Sequence, residues 1–432
     1  MPAPNARKAN GERAQSEHFE NVTCPFCGLL CDDLELERSG ETLKVRNTNC
    51  EKAIAGFERR LPPASPSVGG RDVEQAEAIK EAAALIREAK LPLYGGLATD
   101  VDGMRAAMAL AERSGGIVDH ALSEAQYRNF KVLQTSGWIT STLTETRNRA
   151  DLIIVVGDAH KVHPRFFERI VCAPDSMFDT TPPKRNVVLI GKGLDPSAAQ
   201  GPRIGEVISL SCPIERVGEV LGVLRAQLRG FPVQPLDIDG VSLADIESVA
   251  ERCRQAKYGV VAWAPPSLDF AHADLTVAQI ADFVKDLNQT SRFAGLPLGG
   301  NEGAVTAGAV CAWQSGYPLR NSYASGAPDH DPYRYSISRM LAEGEGDLLV
   351  WISSFMPGLT PPATDLPTVV LGTPGMKLAQ PPAVFIPVGT PGMDHAGSIV
   401  RCDSVVSLPL RNLHRSELPR AADILAAIEA AL

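Results

Sequence analysis

Asp151-Leu152-Ile153-Ile154-Val155-Val156-Gly157 is an unbroken apolar run between an acidic residue and a glycine. Alternating polarity marks a strand with one wet face, whereas a continuous run rich in β-branched residues marks one buried on both faces, as in parallel sheets sheathed by helices. Downstream, 186–191 and 205–210 read the same way, and a helical pattern opens at Cys212-Pro213 and runs to Leu228. The theme repeats with a strand at 258–263, a helix at 276–288, and strands at 347–352, 368–372 and 383–387. Upstream, 92–96 is a short apolar run followed by Thr99-Asp100, which can cap a helix reaching Ala111; residues 421–432 form an alanine-rich helix. Strands alternating with helices predict an α/β fold of doubly wound parallel sheets.

The chain has 432 residues, and at ~150 residues per domain that length predicts two to three domains. Its 42 Lys and Arg against 51 Asp and Glu give a formal charge of −9, which argues against phosphate-backbone binding and hence a nucleic-acid partner. No stretch approaches the roughly 20 apolar residues of a membrane span. Residues 1–20 are polar and lack the apolar core of a secretory signal, so a cytoplasmic location is expected. The expected divisions are a polar tail at 1–20, a cysteine module at 21–61, a Pro/Gly-rich linker at 61–70, a first α/β domain at 71–255 and a second at 256–432. Within the module, 33–37 alternates acidic and apolar residues as a half-buried strand does, with 44–46 as its partner across a Ser39-Gly40 turn.

Four of nine cysteines fall close together: Cys24, Cys27, Cys31 and Cys50, in the spacing C-x2-C-x3-C-x18-C. Three thiolates from a tight loop and one remote thiolate can surround a 4Fe-4S cluster. Gly28 would let that loop curl at positive φ. Structural zinc sites usually come as two C-x2-C pairs, so the spacing favours iron–sulfur over zinc, with thiols that merely pack as the remaining reading. The other five cysteines read as small buried hydrophobes.

Thr23-Cys-Pro-Phe-Cys-Gly-Leu-Leu-Cys-Asp-Asp33, with Asn49-Cys50 downstream, resembles the opening of the B subunits of formylmethanofuran dehydrogenases, in the molybdopterin oxidoreductase superfamily. Residues 148–158 running into His163-Pro164-Arg165, Gly300-Asn301 with 306–308 and Trp313, Gly316-Tyr317-Pro318, and 392–403 fit the same family. The resemblance implies a bis-pterin tungsten or molybdenum centre in active members, with a cysteine or selenocysteine ligand from an early loop of the first α/β domain. By position that loop falls near 123–130, yet no cysteine lies between Cys50 and Cys172. Soft thiolate ligation is not replaced by the Ser, Glu, Gln and Tyr found there.

The likeness is therefore narrowed to the B subunit of the formyltransferase/hydrolase complex of aerobic methylotrophs, which moves a formyl group from tetrahydromethanopterin to methylofuran and releases formate. It implies a non-redox scaffold beside a zinc amidohydrolase-like A subunit, a C subunit and a formyltransferase D subunit. Methylofuran would be bound by the complex, no molybdopterin or tungstopterin is expected, and the four cysteines hold a 4Fe-4S cluster or stay vacant. A pterin cavity refilled by apolar side chains would leave no cleft of roughly 300–1,000 Å³. The alternatives are a catalytic tungsten or molybdenum dehydrogenase using a non-cysteine ligand, and a zinc-binding module.

No residue is assigned a catalytic or cofactor-binding role. His160 and His163 lack the further ligands that would complete a metal site and read as a partly exposed pair on a surface loop. Gly299-Gly300-Asn301-Glu302-Gly303-Ala304 has neither the P-loop nor the dinucleotide spacing, and reads as a pterin-facing or simply close-packed loop. Arg320-Asn321 through Asp329-His330-Asp331 reads as a solvated loop. Asp394-His395 with Ser398 is too local to be a triad, and Asp33, Asp269 and Glu302 form no acid–base pair.

Overall fold

The computed structural model describes residues 16–178 and 184–432, and the chain has an α/β fold of parallel and mixed sheets. Leu152–Val156, in the apolar run between Asp151 and Gly157, is buried along its whole length at the centre of a five-stranded parallel sheet. The strand order is Ile204–Leu210, Arg185–Ile190, Leu152–Val156, Tyr258–Trp263, Arg292–Pro297. One face, with Ile154 and Val156, packs against the helices Val217–Leu228, Leu243–Gln255 and Ala273–Leu287. The opposite face, with Ile153, Val155, Val187 and Leu189, packs against the cysteine module and Phe166–Phe167 instead of a layer of long helices.

A nine-stranded mixed sheet draws on two separated stretches of chain. Its parallel centre runs Ile117–Val118, Pro92–Ala98, Leu348–Ser353, Thr368–Gly372, Val384–Pro387. Short antiparallel strands finish both edges: Asn321–Ser322 with Asp329–His330 on one side, Ser67–Val68 with Arg71–Asp72 on the other. Part of the expected linker is thus a strand, Ser67–Val68, second from that edge of the sheet. The helices Gln75–Glu88, Val101–Ser114, Ala304–Ser315 and Ala421–Ala430 share one apolar core with this sheet. Asp100 caps Val101–Ser114 as expected, its side chain accepting from the Gly103 N–H at 3.0 Å.

The expected division at 255/256 passes between Ile204–Leu210 and Tyr258–Trp263, two strands of the same five-stranded sheet. The nine-stranded sheet takes strands from both expected α/β domains. Pairing partners are set by tertiary packing, which local pattern does not encode. Of the expected tail, residues 1–15 lie outside the described residues. Glu17–Val22 is the first strand of a three-stranded antiparallel sheet with Leu34–Ser39 and Thr42–Val45. Among the described residues no helix is long and apolar enough to cross a membrane.

Candidate functional site

The cysteine loop is closed by the Cys24 N–H donating to the Cys31 carbonyl at 2.8 Å, with Leu30 at φ +47°. Gly28 is not in the left-handed region, so the curl expected of it is carried by Leu30 instead. Its lack of a side chain serves close approach: an added Cβ would run into the carbonyl oxygen of Gly299. The Gly28 N–H donates to Asn301 Oδ1 at 3.1 Å, and the Cys402 N–H to the Gly28 carbonyl at 2.9 Å.

The four cysteines do not form the expected metal site. Among the described residues no group of three or more His, Cys, Asp and Glu side chains is placed to hold a metal ion, which overturns the 4Fe-4S reading. Cys24, Cys27, Cys31 and Cys50 are all buried in the apolar core beneath the five-stranded sheet. Burial first, then the charge of Cys27, pushes the Cys31 thiol up to about 12, and burial drives Cys24 well above its usual value. Metal ligation needs thiolates, and burial disfavours the thiolate at Cys24, Cys27 and Cys31, which pack among apolar side chains.

Asp33 anchors the module electrostatically. Arg165, itself buried, forks onto both its oxygens at 2.8 and 2.9 Å, and Arg169 adds a further ion pair. Burial works to raise the Asp33 carboxyl, but the Arg165 hydrogen bond and the two guanidinium charges outweigh it and hold the group below the usual carboxylate range.

The loop at 299–303 is where the parts of the molecule meet. Gly300, Glu302 and Gly303 all have left-handed backbone, Glu302 at φ +52°. Asn301 reaches the cysteine loop through Gly28 and the Val162 carbonyl through Nδ2 at 3.4 Å. The Glu302 carbonyl accepts from His120 Nε2 at 2.9 Å, while the Leu122 N–H donates to His120 Nδ1 at 2.9 Å. That pair of bonds requires the neutral Nε2–H imidazole, and burial pushes the ring down to about 4. Gly303 lies so close to Thr99 and Phe355 that a Cβ would meet the Thr99 carbonyl at 2.8 Å.

A cleft of ≈530 Å³ opens beside this loop, lined by Phe26, Glu51, Lys52, Glu302, Met356 and Leu359 among others. The expectation that no ligand-sized cleft remains is therefore not met. Glu302 Oε2 is buried with no hydrogen-bond partner among the described residues. Burial raises the Glu302 carboxyl to about 7, although the Arg59 and Lys52 charges pull the other way. Arg59 is committed elsewhere: it stacks on Phe26 at 5.5 Å and donates to the Phe355 carbonyl and Thr390 Oγ1. Lys52 Nζ donates to the Val162 carbonyl at 2.8 Å.

Other expected positions fall differently. His160 is exposed while His163 is fully buried and pushed down to about 3 by burial and the Lys52 charge, so the two do not form one exposed pair. Residues 123–130, expected as a loop, lie in the helix Ser123–Thr135, whose buried Tyr127 and Val132 face the core. Arg320, expected on a solvated loop, is buried: it pairs with Asp119 at 3.5 Å and with Glu124, and lies 4.1 Å from the Tyr127 ring centre. Asp394 accepts from the Thr390 N–H and pairs with His414 rather than with Ser398, and Asp269 pairs with Arg128 at the surface.

Known proteins share this architecture, although no protein-family model matches the chain. The B subunit of the tungsten-containing formylmethanofuran dehydrogenase 2 of Methanococcus maripaludis is 26% identical over 409 residues, 90% of this chain and 92% of that one. Its counterpart in Methanocaldococcus jannaschii is 28% identical over 405 residues, 89% and 91% of the two chains. The B subunit of the Fhc formyltransferase/hydrolase complex of Methylorubrum extorquens is 28% identical over 335 residues, 77% and 86% of the two. A chain in the crystal structure of that organism's complex (FhcABCD) with methylofuran superposes with a TM-score of 0.71 at 25% identity, over 85% of this chain and 98% of that one. Over most of its length the chain is similar to the B subunits of formylmethanofuran dehydrogenases and of a formyltransferase/hydrolase complex.

The site that sequence reasoning missed is the Glu302 cleft. Its one local signal was a glutamate between residues that break regular structure, Gly299-Gly300 before it and Gly303 after it. Asp119 and Arg320 carried no signal, because a buried pair two hundred residues apart has no local pattern.

Proposed function

We propose that this chain is the non-redox B subunit of a cytoplasmic formyltransferase/hydrolase complex, working beside A, C and D subunits that transfer a formyl group from tetrahydromethanopterin to methylofuran and release formate. One observation carries the reading: a chain matching the tungsten-containing relatives over about nine-tenths of its length has no cysteine between Cys50 and Cys172, where the family's metal ligand is expected. Likeness to a chain of the complex with methylofuran supports it. As a scaffold the chain would hold the transferase and hydrolase sites within reach of one carrier, because a tethered or shuttled group benefits from high effective concentration only when both sites lie within its span. The segment at 21–61 would act as a docking module on two α/β units, one around each large sheet.

Native purification through a tag on this chain tests the proposal. The expected result is co-purification of three partner subunits, formyl transfer by the assembly, and no molybdenum or tungsten in proportion to this chain. Molybdenum or tungsten near one per copy, with formate-linked dye reduction, would replace the scaffold with the dehydrogenase reading.

A further inference from the structure

One edge of the five-stranded sheet is open. Ile204–Leu210 pairs with Arg185–Ile190 alone; Glu206 and Ser209 are exposed, Val207 and Ile208 half-buried. The Leu210 carbonyl accepts from the Gly191 N–H at 3.0 Å, so Leu210, and by strand alternation Ile208, turns its backbone groups toward that neighbour. Val207 and Ser209 turn theirs outward, where neither N–H nor carbonyl meets a partner among the described residues. Other edges are covered or short, as natural sheets require to avoid unwanted pairing. Arg292–Pro297 is met by 139–141, with the Gly295 N–H donating to the Ile139 carbonyl at 2.7 Å and the Ser141 N–H to the Gly295 carbonyl at 2.8 Å. The nine-stranded sheet ends in the two-residue strands Arg71–Asp72 and Asp329–His330. In the cysteine module, Arg411 takes the Glu20 carbonyl and Glu58 the Val45 N–H.

We propose that this edge pairs with the same edge of a second copy of the chain, antiparallel about a two-fold axis at Ile208, so that one continuous sheet runs through both copies. The register matches itself, as a two-fold interface must. Val207 exchanges both backbone bonds with Ser209 of the second copy, and Ser209 with its Val207, which uses every free backbone group at those positions. Ile208 meets Ile208 at the axis, on the face that packs against the helices Val217–Leu228 and Leu243–Gln255. Glu206, held by Arg252 at 2.6 Å, stands opposite Leu210, so no like charges face each other. An axis at Val207 would instead set Ser209 against Gly205, inside the stretch between Ile204 and Val207 where the register shifts. A strand from an unrelated chain has no need of this symmetry, which is why the self-matching register favours a second copy. The inference does not depend on the scaffold reading.

Sedimentation velocity on the purified full-length chain should show twice the monomer mass as concentration rises. Ser209→Pro removes an outward N–H and spares the bonds to Arg185–Ile190; it should weaken self-association at least tenfold at an unchanged melting temperature. Ile208→Cys should cross-link the two copies under mild oxidation, because facing residues of a non-hydrogen-bonded pair lie within disulfide reach. Ser209→Cys, opposite Val207, should not, and this cysteine pair decides the matter if Ser209→Pro fails to fold. A folded wild type that stays monomeric throughout would overturn the proposal. So would Ser209→Pro that melts and associates as wild type does, or cross-linking through Ser209→Cys in place of Ile208→Cys. In the purified multi-subunit assembly, slow amide exchange at 207 and 209 without the Ile208→Cys cross-link would give the edge to a strand of another subunit, and equally overturn it.

Discussion

Glu302 shows how one residue can carry a pH dependence through the fold. Its carboxyl is raised from the ordinary 4.5 to about 7, so its contribution to stability is complete below pH 4.5 and lost as pH rises through 7. Glu302→Gln removes this dependence. The variant should match wild type near pH 5 and exceed it at pH 8 by at most about 3 kcal/mol, read from urea unfolding at the two pH values. Gly28 makes the opposite case, since it is needed for what it lacks. Gly28→Ala forces its Cβ into the Gly299 carbonyl, so one of the two backbone segments must shift. A loss of about 2 kcal/mol or more is expected in denaturant unfolding, by the usual magnitude of overpacking. The cysteine motif marks this glycine as necessary but suggests the wrong reason: contact with a loop 271 positions away is not visible in a motif seen alone.

Among the elements, the strands were the legible part. Leu152–Val156, Tyr258–Trp263 and Leu348–Ser353 are buried on both faces, and full burial writes itself into composition as an unbroken apolar run. Two-residue strands such as Asn321–Ser322 carry no such run, and the segment around them read as solvated loop. The same blindness hid Arg320, which ties the helix Ser123–Thr135 to the edge of the nine-stranded sheet through Asp119 and Glu124. Burial raises Asp119 to about 6 even with Arg320 beside it. Arg320→Met would leave that carboxylate buried without its cation. A loss of about 3–5 kcal/mol is expected above pH 6, where Asp119 is charged, shrinking at lower pH as it takes up a proton. Thermal unfolding across pH 5–8 reads both the size and the slope.

For the whole molecule, the 299–303 loop joins the cysteine module to both large sheets. Asn301 touches the module at Gly28 and the five-stranded unit at Val162, while Glu302 and Gly303 reach His120 and Thr99 beside the nine-stranded sheet. Asn301→Ala should therefore raise amide hydrogen exchange at 24–31 and at 160–163 together, leaving Thr368–Gly372 unchanged; a change confined to 299–303 would mean that the loop fills space without coupling the parts. The α/β class and the alternation of strands were readable from the chain alone. The interleaving of the sheets was not, because each strand's partner is chosen by packing over long stretches of sequence.

That interleaving also orders events in time during synthesis. Pro92–Ala98 pairs on one side only with the two residues Ile117–Val118, and on the other with Leu348–Ser353, which leaves the ribosome roughly 250 residues later. At about 5–20 residues per second this is a wait of roughly 12–50 s. The five-stranded sheet, contained within residues 152–297, has all its strands in hand well before that wait ends. The nascent chain thus spends its longest interval with one sheet complete and a core strand of the other still lacking its main partner, and that strand is where a chaperone would be needed.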